Sequence, residues 1–127
     1  MATSKDGIKW NQNSHVCVYQ KNKFEALTRP TVIKINDCYH MWFCFRGSKN
    51  FRNGINSYKI GYAKSKDLWN WKRDDRKSGI NFAKDNWDNK MMAYPYVFKH
   101  KGRIYMFYNG NGFGKSGFGY ATLENIS

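Results

Sequence analysis

The sequence predicts an all-β chain of about two four-stranded antiparallel blades of a β-propeller, incomplete as a single chain because two blades cannot close a ring. Three observations carry this expectation. Aromatic residues make up 18% of the chain and fall in short runs with β-branched neighbours, as strands require. No segment sustains the 3.6-residue apolar period of a helix. The chain also repeats itself. Pro30, Val32, Met41 and Gly47 return as Pro95, Val97, Met106 and Gly112, each 65 positions on, and RPTVIKINDCYHMWF is echoed by YPYVFKHKGRIYMFY.

A second pattern, A-x-S-x-D-x-x-x-W, runs through Ala2, Ser4, Asp6 and Trp10 and again, 61 positions on, through Ala63, Ser65, Asp67 and Trp71. Gly61-Tyr62-Ala63 likewise recurs as Gly119-Tyr120-Ala121. A repeat of about 60 residues suits a propeller blade with long loops.

Taken in order, the first element is the N-terminal segment 2–18, read as the end of a third strand, a turn and a fourth strand (residues 8–10) from a split blade. The first full repeat, about 25–72, opens with a strand over 31–35, just after Pro30, where proline is tolerated. Asn36-Asp37 is turn chemistry leading to a second strand over 39–45. Tyr39, Met41, Phe43 and Phe45 share one face of it and His40, Trp42 and Cys44 the other, so both faces are apolar, as in a sheet packed between sheets. A third strand over 58–64 turns through Ser65 and Asp67, whose side chains can bond the turn's backbone N–H groups, into a fourth over 69–72. The second repeat, about 90–122, gives strands over 96–99, 104–108 and 117–122. Its Gly-rich run 109–117 lacks the G-x-x-x-x-G-K-[ST] register and a following helix, so it reads as a wide turn rather than a phosphate loop. The whole, 1–127, is a single partial domain that begins late in one blade and ends late in another.

Composition narrows the function classes. No apolar stretch approaches the roughly 20 residues that cross a bilayer, and residues 1–10 lack the apolar core of a secretory signal. Cys17, Cys38 and Cys44 form no C-x-x-C pair, and with His15, His40 and His100 they complete no zinc-ligand spacing. Free thiols in a reducing, cytoplasmic compartment are expected, with no metal and no cofactor. A net charge of +13, from 22 Lys and Arg against nine Asp and Glu, favours polyanions, but the cations are scattered, as on a solvated surface.

The long 2–3 loops (46–57, 109–116) and the 4–1 connections (11–29, 73–94) share one side of the blades, where binding residues usually sit. That side places Glu25, Thr28, Arg29, Ala93 and Tyr94 at the entry to the innermost strands, with Arg46, Arg52, Asn109 and Asn111 on the rim. Arg29 can clamp an anionic or hydroxyl-rich ligand through its fork of donors, and Tyr94 can stack on a sugar face. Glu25 is the candidate catalytic acid. Such a role needs a second carboxylate within about 10 Å, for which Asp85 and Asp88 lie on the same side.

The segments TRPTVIKINDCYHMWFCFRGS, YKIGYAKSKDLWNWKRDD and AYPYVFKHKGRIYMFYNGNGFGKSGFGYA together resemble the C-terminal part of bacterial five-bladed β-propeller proteins related to glycoside hydrolase families 43 and 32, the furanosidase-type superfamily. The resemblance spans about Ala2 to Glu124. It implies sugar-binding ancestry and three catalytic acids spread over several blades, one of them two residues before the proline that opens an inner strand. Those positions here are Thr28 and Ala93, neither acidic. The expectation is therefore a glycosidase-like fragment that binds carbohydrate, is catalytically incomplete, and assembles as a homo-oligomer, a dimer formed by exchange of the N-terminal strand. An active glycosidase completed by other chains, and a basic nucleic-acid-binding protein, are the alternatives; no membrane partner is expected.

Overall fold

A computed structural model describes the chain over residues 1–52 and 54–124, and among these residues it has nine strands and almost no helix; the domain end expected at 127 lies outside them. β1 (Ala2–Thr3) and β2 (Asn11–Gln12) form a small hairpin. β3 (Ala26–Ile35), β4 (Cys38–Arg46), β5 (Lys59–Ser65) and β6 (Lys72–Arg73) form a four-stranded antiparallel sheet in chain order. β7 (Ala93–His100), β8 (Arg103–Asn109) and β9 (Phe118–Leu123) form a three-stranded one.

The sequence repeat is also a repeat of backbone geometry. β3 and β7 each break register at the same place, between Thr28 and Thr31 and between Ala93 and Tyr96. Proline has no N–H to donate, so Pro30 and Pro95 sit where the ladder is interrupted by a bulge. The bulge lets each inner strand run on past its proline, which is why β3 and β7 start earlier than the expected 31–35 and 96–99. The residue before each proline adopts a left-handed conformation, Arg29 at φ 54° and Tyr94 at φ 58°. The tight turns that follow also correspond. Asn36 has φ 52°, and Lys101 (φ 46°) with Gly102 (φ 77°) supplies the two positive φ values of a two-residue hairpin turn.

The pattern A-x-S-x-D-x-x-x-W folds twice in one register. Ala2 pairs with Gln12 and Thr3 with Asn11; Ala63 pairs with Arg73 and Lys64 with Lys72. In the second copy Asp67 Oδ1 accepts from the N–H groups of Trp69 (2.9 Å) and Asn70 (2.7 Å) and from Ser65 Oγ (2.9 Å). Asp6 Oδ1 does the same for Ile8 (2.8 Å), Lys9 (2.9 Å) and Ser4 Oγ (3.1 Å). Each turn closes with an indole N–H on a turn carbonyl, Trp71 to Leu68 and Trp10 to Gly7. The fourth strands consequently fall at β6 and β2, later than the expected 69–72 and 8–10: the carboxylate holds those N–H groups in the turn and keeps them out of the ladder.

Both faces of the first sheet are packed. Trp42, Ile60 and Tyr62 meet Val97, Met106, Tyr108 and Met92 in the core between the sheets. Met41, Phe43 and Ala63 on the other face are covered by Val18, Leu27 and Trp71. Fully burying each such large side chain contributes about 1.5–3 kcal/mol. The two repeats are also joined by hydrogen bonds, Val97 N to Thr31 Oγ1 (3.1 Å) between β7 and β3, and Met92 N to Tyr58 O (3.0 Å) between the residues just before β7 and β5. None of the described helices is long and apolar enough to cross a membrane.

Candidate functional site

The two bulges stand side by side, so the residues they force outward come together. The Arg29 guanidinium carbon lies 5.9 Å from the Tyr94 ring centre. Tyr94 in turn packs on Tyr58 (ring centres 5.7 Å apart), and Tyr58 on Phe113 (5.9 Å). Arg46, at the end of β4, donates from Nε to Tyr58 Oη (3.3 Å) and from Nη1 to the Gly47 carbonyl (2.9 Å), and its guanidinium lies 3.7 Å from the Phe51 ring centre. Arg52 covers the same ring at 4.6 Å. The result is an aromatic and guanidinium cluster over the buried floor of Cys44, Met91 and Ala93.

The electrostatics follow from that floor. Burial pushes the Cys44 thiol up to about 12, against the Tyr94 N–H that donates to its sulfur and the nearby Arg29 charge, so the thiol stays protonated at neutral pH and is no nucleophile. Burial, with Tyr58 and Cys44 close by, also raises the Tyr94 hydroxyl, while Arg29 and Arg46 both pull it down. Both guanidiniums therefore act on one phenol.

Beside Arg46 opens a cavity of about 470 Å³ bordered by Phe24, Glu25, Lys49, Asn56 and Lys59. Glu25 borders it but is bound elsewhere. Its carboxylate receives a two-pronged bond from Arg73, Nη1 to Oε2 at 2.7 Å and Nη2 to Oε1 at 3.0 Å, and a third from Lys21 N at 2.9 Å. Arg73 also holds Asp75 (2.9 Å), and its guanidinium lies over the rings of Phe43 and Phe45, 5.1 Å from each ring centre. Burial raises the Glu25 carboxyl, but Arg73 and Lys21 outweigh it and hold the group below its ordinary range. A general acid must carry its proton at working pH, and this environment removes it. Of the two carboxylates considered as its partner, Asp88 is buried and accepts from Tyr108 Oη at 2.7 Å, and Asp85 is exposed. Ala93 is fully buried on Cys44 and Met91, and Thr28 pairs with Cys44 in the ladder, so neither bulge presents an acid.

The rim asparagines are internal fastenings. Asn111 Oδ1 accepts from Lys90 N and Met91 N (2.8 and 2.9 Å) while Nδ2 donates to Asn89 Oδ1 (2.7 Å). Asn109 Nδ2 donates to the Phe113 carbonyl (3.2 Å). The Gly-rich run is a turn, with Gly112 and Phe113 left-handed. Its N–H groups are directed inward, Asn111 to Trp87 O and Phe113 to Met91 Sδ, leaving no nest for phosphate. Tyr58, Phe51 and Phe113 are not among the residues the sequence singles out: Phe51 and Phe113 lie in loops, where an aromatic carries no periodic signal, and Tyr58 reads as the start of the third strand, which begins at Lys59. Among the described residues no three His, Cys, Asp or Glu side chains cluster as a metal site.

No family model matches the chain. Two uncharacterized proteins from strains of Mycobacterium tuberculosis are 38% identical to it over 125 residues, and the chain spans 39% of their length. Among solved structures, a glycoside hydrolase superposes with a TM-score of 0.70 at 23% identity, over 98% of this chain and 35% of its own. Zg3597, a family 117 glycoside hydrolase of the marine bacterium Zobellia galactanivorans, superposes at 0.67 with 15% identity, over 88% and 40%. An exo-1,5-alpha-L-arabinanase from a bovine ruminal metagenomic library gives 0.55 at 18% identity, over 78% and 35%. The fold is thus nearly all-β, antiparallel, and like the propeller-type domains of glycoside hydrolases.

Proposed function

We propose that this chain is a carbohydrate-binding part of a glycosidase-like β-propeller, related to the five-bladed family 43/32 type, and that it lacks the acids for hydrolysis. The observation that carries the reading is the meeting of Arg29 and Tyr94 on paired inner-strand bulges. Two non-glycine residues are held left-handed in front of prolines, a conformation costing of order 1–3 kcal/mol each and concentrated at functional sites. Tyr94, Tyr58 and Phe113 offer ring faces to a sugar, and the guanidiniums offer donors to its hydroxyls. Glu25, fastened to Arg73, supplies no acid, and Thr28 and Ala93 supply none at the bulges.

Glycan-array screening followed by calorimetry on the full chain tests this. Oligosaccharide binding that falls at least about fivefold in Tyr94→Ala supports it, a stacking contact being worth roughly 1 kcal/mol. Turnover of aryl arabinofuranosides, xylosides or fructosides is expected to be absent; turnover that disappears in Glu25→Gln would restore the enzyme reading.

A further inference from the structure

We infer that the ligand at this site is an anionic sugar, one carrying a carboxylate or a phosphate, clamped by Arg29 and Arg46; the inference rests on the carbohydrate reading above and narrows it to a substrate class. The acids of this chain are engaged or placed elsewhere. The chain has nine Asp and Glu. Glu25 and Asp75 are bound by Arg73, and Asp74 by Arg76. Asp6 and Asp67 hold the two repeated turns, and Asp88 is buried on Tyr108. Asp37 lies in the β3–β4 hairpin turn, at the opposite end of the strands from the bulge, and Asp85 and Glu124 are exposed outside the cluster.

Arg29, Arg46 and Arg52 therefore stand together with no carboxylate within 4.0 Å among the described residues, and Lys49 and Lys59 border the cavity next to Arg46. Arg29 makes no hydrogen bond to the chain among the described residues, so its whole planar fork is open. Arg46 is already oriented by Tyr58 and Gly47 and lies on Phe51, which lowers the entropy lost when it takes up an anion. A strained backbone position is a costly place for an exposed arginine that does no more than solvate a surface. A planar guanidinium beside a tyrosine face is suited to an acidic sugar, in which an anion and an apolar ring face lie in one ligand. A cavity of about 470 Å³, within the range that small ligands occupy, adjoins the cluster at Arg46, although Arg29 and Tyr94 do not line it.

Calorimetry with trigalacturonic acid, its neutral counterpart galactotriose, glucose 6-phosphate and inorganic phosphate separates the possibilities, with circular dichroism confirming that each variant folds. The acidic trisaccharide or the sugar phosphate is expected to bind at least about tenfold more tightly than galactotriose, from one charged hydrogen-bonded pair. Which of the two leads identifies the anion, and inorganic phosphate alone should bind more weakly than either. The preference should vanish in Arg29→Gln and shrink in Arg46→Gln, whereas Tyr94→Ala should weaken acidic and neutral sugars alike. Equal binding of neutral and acidic sugars, or a preference unchanged in Arg29→Gln, overturns the inference while leaving the carbohydrate site standing. Binding of no sugar at all sinks both. Inorganic phosphate or duplex DNA binding as tightly as the acidic sugars would show a charge patch without a sugar site.

Discussion

Arg73 shows at the residue scale how a single side chain takes a carboxylate out of chemistry. Its side chain is 10% exposed, and those of Glu25 and Asp75 are 8% and 13% exposed. Removing one partner strands the others, so Arg73→Ala is expected to cost about 3–5 kcal/mol in urea unfolding. Glu25→Gln should lower stability too. The pH dependence has a definite sign. For Glu25 and Asp75 burial raises the carboxyl, but the bonds to Arg73 and Lys21 lower it by more, leaving both below their ordinary values of 4.5 and 3.8. Their contribution is complete above those values and is lost as pH falls through the lower folded ones. An acid unfolding midpoint that Arg73→Ala leaves unmoved would exclude this cluster as the cause. Leu68 makes a second residue-scale case. It is left-handed at φ 63°, where the equivalent turn has Gly7 at φ 74°. Leu68→Gly is expected to stabilise by roughly 0.5 kcal/mol, relief of the side-chain clash exceeding the added freedom of the unfolded chain.

Among the elements, the turn after β8 depends on a close approach that only glycine permits. A Cβ on Gly110 would lie 2.3 Å from Trp87 Cε3 and 2.4 Å from the Trp87 carbonyl oxygen. Trp87 is itself stacked on Tyr108 at 5.2 Å, so it has little room to retreat. Gly110→Ala is therefore expected to destabilise by about 1–3 kcal/mol, and because Phe113 follows in the same turn, it should also shift the Phe113 ring against Tyr58 and so weaken the sugar binding proposed above. A melting temperature equal to that of the parent chain would refute the packing argument. The β3–β4 hairpin was legible in the sequence down to its two-residue turn, Asn36-Asp37, and the β7–β8 pair as two short strands in succession. The bulges were not, since a proline announces a break in the ladder without saying whether the strand ends or continues past it.

Across the whole molecule, the two sheets are related by position as well as by sequence. Ile33, Trp42 and Tyr62 on the first sheet pack toward the second. Their counterparts Phe98, Phe107 and Tyr120 lie on the second sheet's outer face, joined there by Tyr96 (60% exposed) and Phe118 (71% exposed). Contiguous exposed aromatic surface is uncommon on a solvated face, and by the same geometry this one fits a further sheet. We propose that a second copy of the chain supplies it, the N-terminal hairpin meeting the open edge of β9. Sedimentation of the full chain and of one lacking residues 1–12 should show a dimer that dissociates or aggregates on truncation; a well-folded monomer in both cases refutes strand exchange. Far-UV circular dichroism should show strand with little helix.

The sequence by itself determined the repeats, the hairpins, the paired Ser-Asp turns and the all-β class. Strand alternation, proline's missing N–H and a carboxylate bonding N–H groups two and three residues on are all local effects, legible in a few neighbouring letters. Tertiary structure alone decided what the chemistry-bearing residues do. Glu25 meets an arginine 48 positions away and is neutralised as an acid. Asn111 reaches 21 residues back and becomes a fastening. Arg29 and Tyr94 were legible in the sequence as neighbours at the strand entries, but their contact was not: packing of Trp42 and Tyr62 on Val97 and Met106 sets the two bulges side by side and brings guanidinium and ring together.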